Sequence, residues 1–200
     1  MDKQVIITIG RESGSGGLEI ARKLGEELGI TVYDKNIFEG LGEHFDIDAS
    51  ELEQYDEKPR KGLSRKVKGY STSPEEQLVE MQREFLKAKA DEGQSFIILG
   101  RCGIKALLDH PCTLIRIFVE ADTKFKVARI MEQAGFSTEL QALSFMKWSD
   151  TRRKTYHDQF CTVKWGDRNS YDIVIKSNKL GMDASAKWLA EYVRMRLAAE

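Results

Sequence analysis

Residues 6–29 read IITIGRESGSGGLEIARKLGEELG, an apolar run that meets a glycine-rich loop and then a helical pattern. Val5 to Ile9 is β-branched and apolar almost throughout, as a strand buried on both faces of a parallel sheet requires. Gly10, Gly14, Gly16 and Gly17 follow, interleaved with Ser13 and Ser15, and such a loop turns backbone N–H groups inward. Leu18, Ala21, Leu24 and Leu28 then recur at helical spacing, with Glu19, Arg22, Lys23, Glu26 and Glu27 on other faces and Gly29 placed to end the helix. Loop N–H groups and a helix dipole both favour negative charge, so the natural ligand is an anion such as phosphate. The competing reading is an ordinary tight turn between strand and helix.

Two nucleotide-binding templates can be laid on this loop. The dinucleotide pattern G-x-G-x-x-G fails, because Gly14 and Gly16 need a third glycine where Glu19 stands. The phosphate loop G-x-x-x-x-G-K fits in part: Arg11 replaces its first glycine, Gly16 is its second, and Gly17 holds the lysine position. A functional site must then draw its cation from another side chain, Arg11 and Lys35 being nearest in sequence. Glu12 is awkward beside an anion and reads as a partner for a metal or an arginine.

Further along, ITVYD, SFIILG, TLIRIFVEA and YDIVIKSN read as short apolar strands. Between them lie a helix opened by Ser73, Pro74 and Glu76 and stopped near Gly93, one from about 123 to 134, one from about 137 to 159, and a last one capped by Asp183 and ending near Ala198. This alternation predicts a three-layer α/β/α domain with a mainly parallel sheet. Ligands of such sheets bind beyond the carboxyl ends of the strands, which is where Gly10 to Gly17, Asp34, Gly100 to Arg101 and Glu120 to Asp122 fall. Residues 35–72 lack long apolar periodicity and switch from acidic, DIDASELEQYDE, to basic, KPRKGLSRKVK; they are expected to form an inserted mobile lobe with a self-neutralising surface.

The 200 residues, 41% hydrophobic and 32% charged, suit one globular domain. No apolar run approaches the roughly 18–20 residues of a membrane span, and a net charge of −1 argues against a nucleic-acid partner. Cys102, Cys112 and Cys161 form no C-x-x-C pair, so neither zinc nor a redox dithiol is expected, and a reducing cytoplasm fits. The opening MDKQVIITIG carries a strand-like run rather than a signal peptide, which also predicts a cytoplasmic protein. His44, His110 and His157 are scattered, without metal-binding spacing.

Four stretches in order, IGRESGSGG, VYDKNIF, ILGRCG and DTRRKTYHDQFCTVKWGDRNSYDIVIKSN, resemble the cytidylate kinase-like proteins, a divergent branch of the nucleoside monophosphate kinases. The resemblance implies a phosphate-loop fold with a core of residues 1–35, 93–148 and 166–200, an acceptor-binding lobe at about 36–92 and a lid at about 149–165. It implies ATP with Mg2+ as donor and CMP, dCMP or a related small acceptor; it leaves the oligomeric state open. Ser13, Gly14, Ser15, Gly16 and Gly17 would cradle phosphate, assisted by Arg11. Arg101 matches an arginine that clamps the acceptor phosphate, and Arg152 and Arg153 match lid arginines; neighbours on a helix point about 100° apart, so only one of the two is expected to reach the site, and the alternative for both is a solvated helix face.

Arg129 also matches a family arginine, with a surface role as the alternative. Asp34 matches a family aspartate that meets magnesium through water, and no direct protein ligand for the metal is implied; as a residue before Asn36 it equally reads as a helix cap. Lys35 either replaces the loop lysine or pairs with Asp34. Trp148, Tyr156 and Trp165 either stack on a base or pack beneath the lid. Two rival functions stay open: a phosphate- or nucleotide-binding sensor module without catalysis, and a kinase for a different small molecule.

Overall fold

Hydrophobic strands alternating with amphipathic helices build a parallel sheet covered on both faces. The structure is a computed structural model and describes residues 3–60, 62, 64, 66, 67 and 70–199. Of the basic run expected at 58–68, positions 61, 63, 65 and 68 lie outside the described residues. The elements run β1 (Val5–Arg11), α1 (Gly17–Leu28), β2 (Thr31–Tyr33), α2 (Ile37–Phe45), a 3-10 helix (Ala49–Tyr55), β3 (Lys66–Val67), β4 (Tyr70–Ser71) and α3 (Pro74–Asp91). They continue with β5 (Phe96–Leu99), α4 (Gly103–Leu107), β6 (Thr113–Glu120), α5 (Thr123–Ala134), α6 (Glu139–Phe160), a 3-10 turn (Arg168–Ser170), β7 (Ile173–Lys176), α7 (Ser177–Leu180) and α8 (Met182–Ala198).

Among the described residues the main sheet has the order β2-β5-β1-β6-β7, with every pairing parallel. Strand alternation sends Val5, Ile7 and Ile9 of β1 to one face, against α1 and α8, and Ile6 to the other. That second face is covered by Ile37, Phe38 and Leu41 of α2 and by Leu78, Phe85 and Leu86 of α3, so the lobe expected at 36–92 shares its core with the sheet. Because β1 lies between β5 and β6, the loop after it opens at the point where the chain departs to either side, the usual crevice of open α/β sheets.

Local signals explain most boundaries. Gly29 ends α1 in the left-handed conformation, the Ser73 hydroxyl accepts from the Glu76 N–H with Pro74 in the first turn, and Thr138 and Gln141 form a reciprocal capping box at α6. Two expectations need correction. Asp183 does not cap the last helix, which begins at Met182 after Gly181; it sits in the first turn, where its carboxylate suits the dipole and accepts from Lys23 at 2.7 Å. Residues 35–72 are more regular than their sequence suggests, because nine-residue α2 is too short to display a period.

Ile7 lies in register with Ile97 and Ile115 on its two flanks and is fully buried. Ile7→Ala is expected to lower unfolding stability by about 2–5 kcal/mol in urea titration; a loss below about 1 kcal/mol would contradict its central place in the core.

Candidate functional site

The loop after β1 is held from behind at nearly every residue. The Glu12 N–H donates to the Val119 carbonyl, and the Glu12 carboxylate accepts from the Ala121 N–H and from Lys126 at 2.8 Å. The partner expected for Glu12, a metal or an arginine, is therefore a lysine. Ser15 bonds back to the Glu12 carbonyl, and buried Ser177 donates its hydroxyl to the Ser15 carbonyl. Gly14 and Gly16 take φ of +75° and +80°, conformations that suit glycine, and α1 starts directly after them. The N–H groups of Gly14, Gly16, Gly17, Leu18 and Glu19 make no hydrogen bond to any described residue. These donors lie free at a helix N-terminus, an arrangement that suits an anion.

These donors line an open cleft of about 640 Å³. Arg153, Lys35, Asp34, Arg22 and Arg129 reach the same cleft from α6, from the turn after β2, from α1 and from α5. Asp34 is not a side-chain cap: its N–H bonds to Asn36, while its carboxylate faces Arg101 at 3.4 Å and Arg22 at 3.7 Å. Lys35 is exposed and makes no ion pair with a described residue. Arg129 pairs with Glu19 at 3.1 Å.

The lysine position is physically filled. A Cβ on Gly17 would stand 2.6 Å from the Arg11 Cβ, so the stem of Arg11 occupies that space while its guanidinium turns away to Glu57 in a bidentate pair of 2.6 and 3.0 Å. Arg11 is thus nearest to the gap without serving as its cation. Leu18 follows, where the phosphate-loop pattern has the Ser or Thr hydroxyl that binds Mg2+. Positive charge arrives instead from α6: Arg153 donates to the Ser13 hydroxyl at 2.9 Å, and Asp150, one turn earlier, accepts from the Ser13 N–H at 2.7 Å. Burial and the nearby Arg11 lower Arg153 to about 10, so it is still cationic at neutral pH. Arg152 points elsewhere, lying over the Trp148 ring at 4.9 Å, and does not line the cleft.

Behind the cleft lies a carboxylate and guanidinium cluster that sequence reasoning missed. Asp56 and Glu57, from the end of the acidic run, reach the turn after β5. Arg101 is 2% exposed, pairs in fork geometry with Asp56 at 2.8 and 3.1 Å, and donates to the Leu99 carbonyl. Burial alone would raise the Glu57 carboxyl, but Arg11, Arg153 and Arg101 outweigh it and hold the group far below the usual glutamate value. Glu57, Arg101 and Cys102 all adopt positive φ, near +50°, a local strain that accumulates at functional sites. Trp165 and Tyr171 pack on Phe118 beside this cluster, and Tyr156 of α6 is buried against Val79 and Cys102, whereas Trp148 is exposed under Arg152.

Comparison with known proteins follows the same pattern. A sequence model of the cytidylate kinase-like family matches residues 6–179. The chain belongs to the cytidylate kinase-like family. A solved structure of an uncharacterized protein from Eubacterium ventriosum is 33% identical, covers 96% of this chain and 99% of its own, and superposes with a TM-score of 0.73. Shikimate kinase from Bacteroides thetaiotaomicron, 13% identical over 95% of this chain and 98% of its own with a TM-score of 0.55, shares the fold. So does the tunicamycin resistance protein of Deinococcus radiodurans, 17% identical over 96% of each chain with a TM-score of 0.54. No curated protein sequence matches. Membership of this kinase-like family supports a phosphotransferase, and kinase-like families in general work with ATP and Mg2+. No helix among the described residues is long and apolar enough to cross a membrane.

The cradle fits a phosphate chain, since its free N–H groups and Arg153 face one cleft. A protein-ligated metal fits less well, because no three His, Cys, Asp or Glu side chains gather among the described residues and Glu12, Asp34 and Asp150 each already accept hydrogen bonds.

Two outcomes follow. Gly17→Lys, which restores the phosphate-loop lysine in name, is expected to lower the melting temperature and to weaken binding of a non-hydrolysable ATP analogue, because overpacking against Arg11 costs about 1–3 kcal/mol. Glu57→Gln is expected to cost about 3–5 kcal/mol at pH 7, since it leaves buried guanidinium groups unpaired. The wild-type carboxylate is depressed in the folded state, so its advantage is complete above the ordinary value of 4.5 and shrinks as pH falls below it. Denaturant titrations of both proteins across pH 3–8 measure that gap; a gap unchanged at low pH would contradict the pairing.

Proposed function

We propose that the chain is an ATP-dependent nucleoside monophosphate kinase acting on CMP, dCMP or a related small acceptor. The observation that carries this reading is the convergence of the free loop N–H groups, Arg153 and Lys35 on one cleft of about 640 Å³. Phosphoryl transfer needs alignment, exclusion of water and neutralisation of transition-state charge more than covalent help. The loop binds the donor phosphates, and Arg153 supplies the charge that the loop lacks. Lys35, unpaired at the rim, adds a point charge at the acceptor side, and Arg129 lines the donor side. Helix α6 and the turn at 161–165 act as the lid, and residues 36–92 as the acceptor lobe. Asp34 would hold magnesium through water, and the metal bound with ATP would shield the phosphate charge.

Arg101 has a narrower part in this scheme than a direct clamp. With Asp56 across its guanidinium it positions the lobe against the core, and it meets an acceptor phosphate only when Asp56 withdraws. A second reading, a phosphate-binding module without turnover, draws on the filled lysine position and on Leu18. A coupled assay with ATP, Mg2+ and a panel of monophosphates and small hydroxylic acceptors separates the two. Turnover with CMP or dCMP is expected, and Arg153→Ala is expected to lower kcat by about 10²–10³. Calorimetry that shows nucleotide binding without turnover on any acceptor would establish the second reading, and turnover only on another acceptor class would overturn the cytidylate assignment.

A further inference from the structure

Cys102 and Cys161 are far apart in the sequence, yet they meet in the small core formed with Val79, Tyr156 and Phe160. Cys161 packs against the cluster in which Cys102 is buried. Each sits at a joint of the site. Cys102 follows Arg101 in the left-handed turn after β5 and is 2% exposed. Cys161 closes the carboxyl end of α6, the helix that carries Asp150 and Arg153, and its N–H donates to the His157 carbonyl at 2.7 Å. It is partly exposed, so a small solute reaches it. Nothing in the phosphoryl-transfer scheme uses either thiol. Cys112 packs in a different cluster, on the sheet face covered by α2 and α3, and serves as an internal control.

We propose that Cys102 and Cys161 form a redox-modification site, at which hydrogen peroxide converts the two thiols to an intramolecular disulfide joining the Arg101 turn to the end of α6. In the first step the Cys161 sulfur attacks one peroxide oxygen and the O–O bond breaks. The sulfur is oxidised to a sulfenic acid, and the departing hydroxide takes up the proton released by the thiol to leave as water. In the second step the Cys102 sulfur attacks the sulfenic sulfur, and the S–OH oxygen leaves with the Cys102 proton as a second water. Two thiols and one peroxide give one disulfide and two waters, so no further reagent is needed.

The division of roles follows from the surroundings. The neighbouring Cys102, His157 and Arg83 together lower the Cys161 thiol against the effect of burial, which favours its ionisation and makes it the attacking sulfur. Burial pushes the Cys102 thiol well up, which suits the resolving partner. The bond ties the turn bearing Arg101 to the helix bearing Arg153, so the oxidised chain holds the two arginines at a fixed separation.

The test is a covalent map of the full-length protein, which does not depend on its being a kinase. Reduced protein is treated with stoichiometric hydrogen peroxide, alkylated, digested and analysed by mass spectrometry. The expected result is a linked peptide pair containing Cys102 and Cys161, with Cys112 alkylated. In the untreated protein, iodoacetamide at mildly acidic pH is expected to label Cys161 at least about tenfold faster than Cys112. Cys102→Ala is expected to leave a sulfenic acid on Cys161 that dimedone traps, and Cys161→Ser to leave Cys102 a free thiol after peroxide. Three alkylated cysteines after peroxide, or a disulfide through Cys112 between chains, overturns the proposal. The wild-type map decides the matter even if a variant fails to fold.

Discussion

The buried pair between Glu57 and Arg11, with contacts of 2.6 and 3.0 Å, joins the inserted lobe to the carboxyl edge of the sheet. Arg153 and the Arg101 N–H converge on the same carboxylate, so one acidic side chain from the lobe orders groups from β1, from the turn after β5 and from α6. A charge buried in this way is costly unless it is fully paired, and the cost of removing any partner is correspondingly high. The arrangement makes the relative position of the segment that ends at Glu57, the sheet edge and α6 an electrostatic matter rather than one of apolar packing alone. Asp56 repeats the device with Arg101.

That constraint explains how a glycine loop without its lysine keeps a cation. The Arg11 stem fills the space beside Gly17, while its charge is spent on Glu57. Besides the Lys126 that pairs with Glu12, the loop meets Arg153 through Ser13, whose hydroxyl receives that guanidinium and whose N–H is held by Asp150. In the phosphate-loop pattern the lysine belongs to the loop itself; here the charge at Ser13 comes from α6. The same helix ends at Cys161, against the turn that carries Arg101 and Cys102. The Ser13 contact and the Cys161 end are thus parts of one helix of 22 residues.

Much of the frame was legible in the residues themselves. The apolar strands, the glycine loop, the Thr138 and Ser73 helix starts and the gathering of motifs at one sheet edge all follow from local chemistry. The short helix α2 did not announce itself, because Ile37, Phe38 and Leu41 span too few turns to show a period. The acidic run also misled: it reads as a solvated surface, yet its last two residues are drawn inward. Asp56 and Glu57 differ in sequence context hardly at all from Glu51 and Glu53, which stay on the surface.

The sequence by itself determined the three-layer class, the family and the glycine loop between strand and helix, because each rests on patterns within short stretches of chain: alternation, turn chemistry and motif residues. The tertiary structure alone decided which charges face that cradle. Adjacent Arg152 and Arg153 are equivalent on paper, but one lies on Trp148 and the other on Ser13. Arg101 and Arg11 looked free and are instead engaged by carboxylates some 45 positions distant. Likewise, Cys102 and Cys161 became a pair only on folding. Ion pairs and thiol contacts depend on distances between remote segments, and only the packed sheet and helices set those distances.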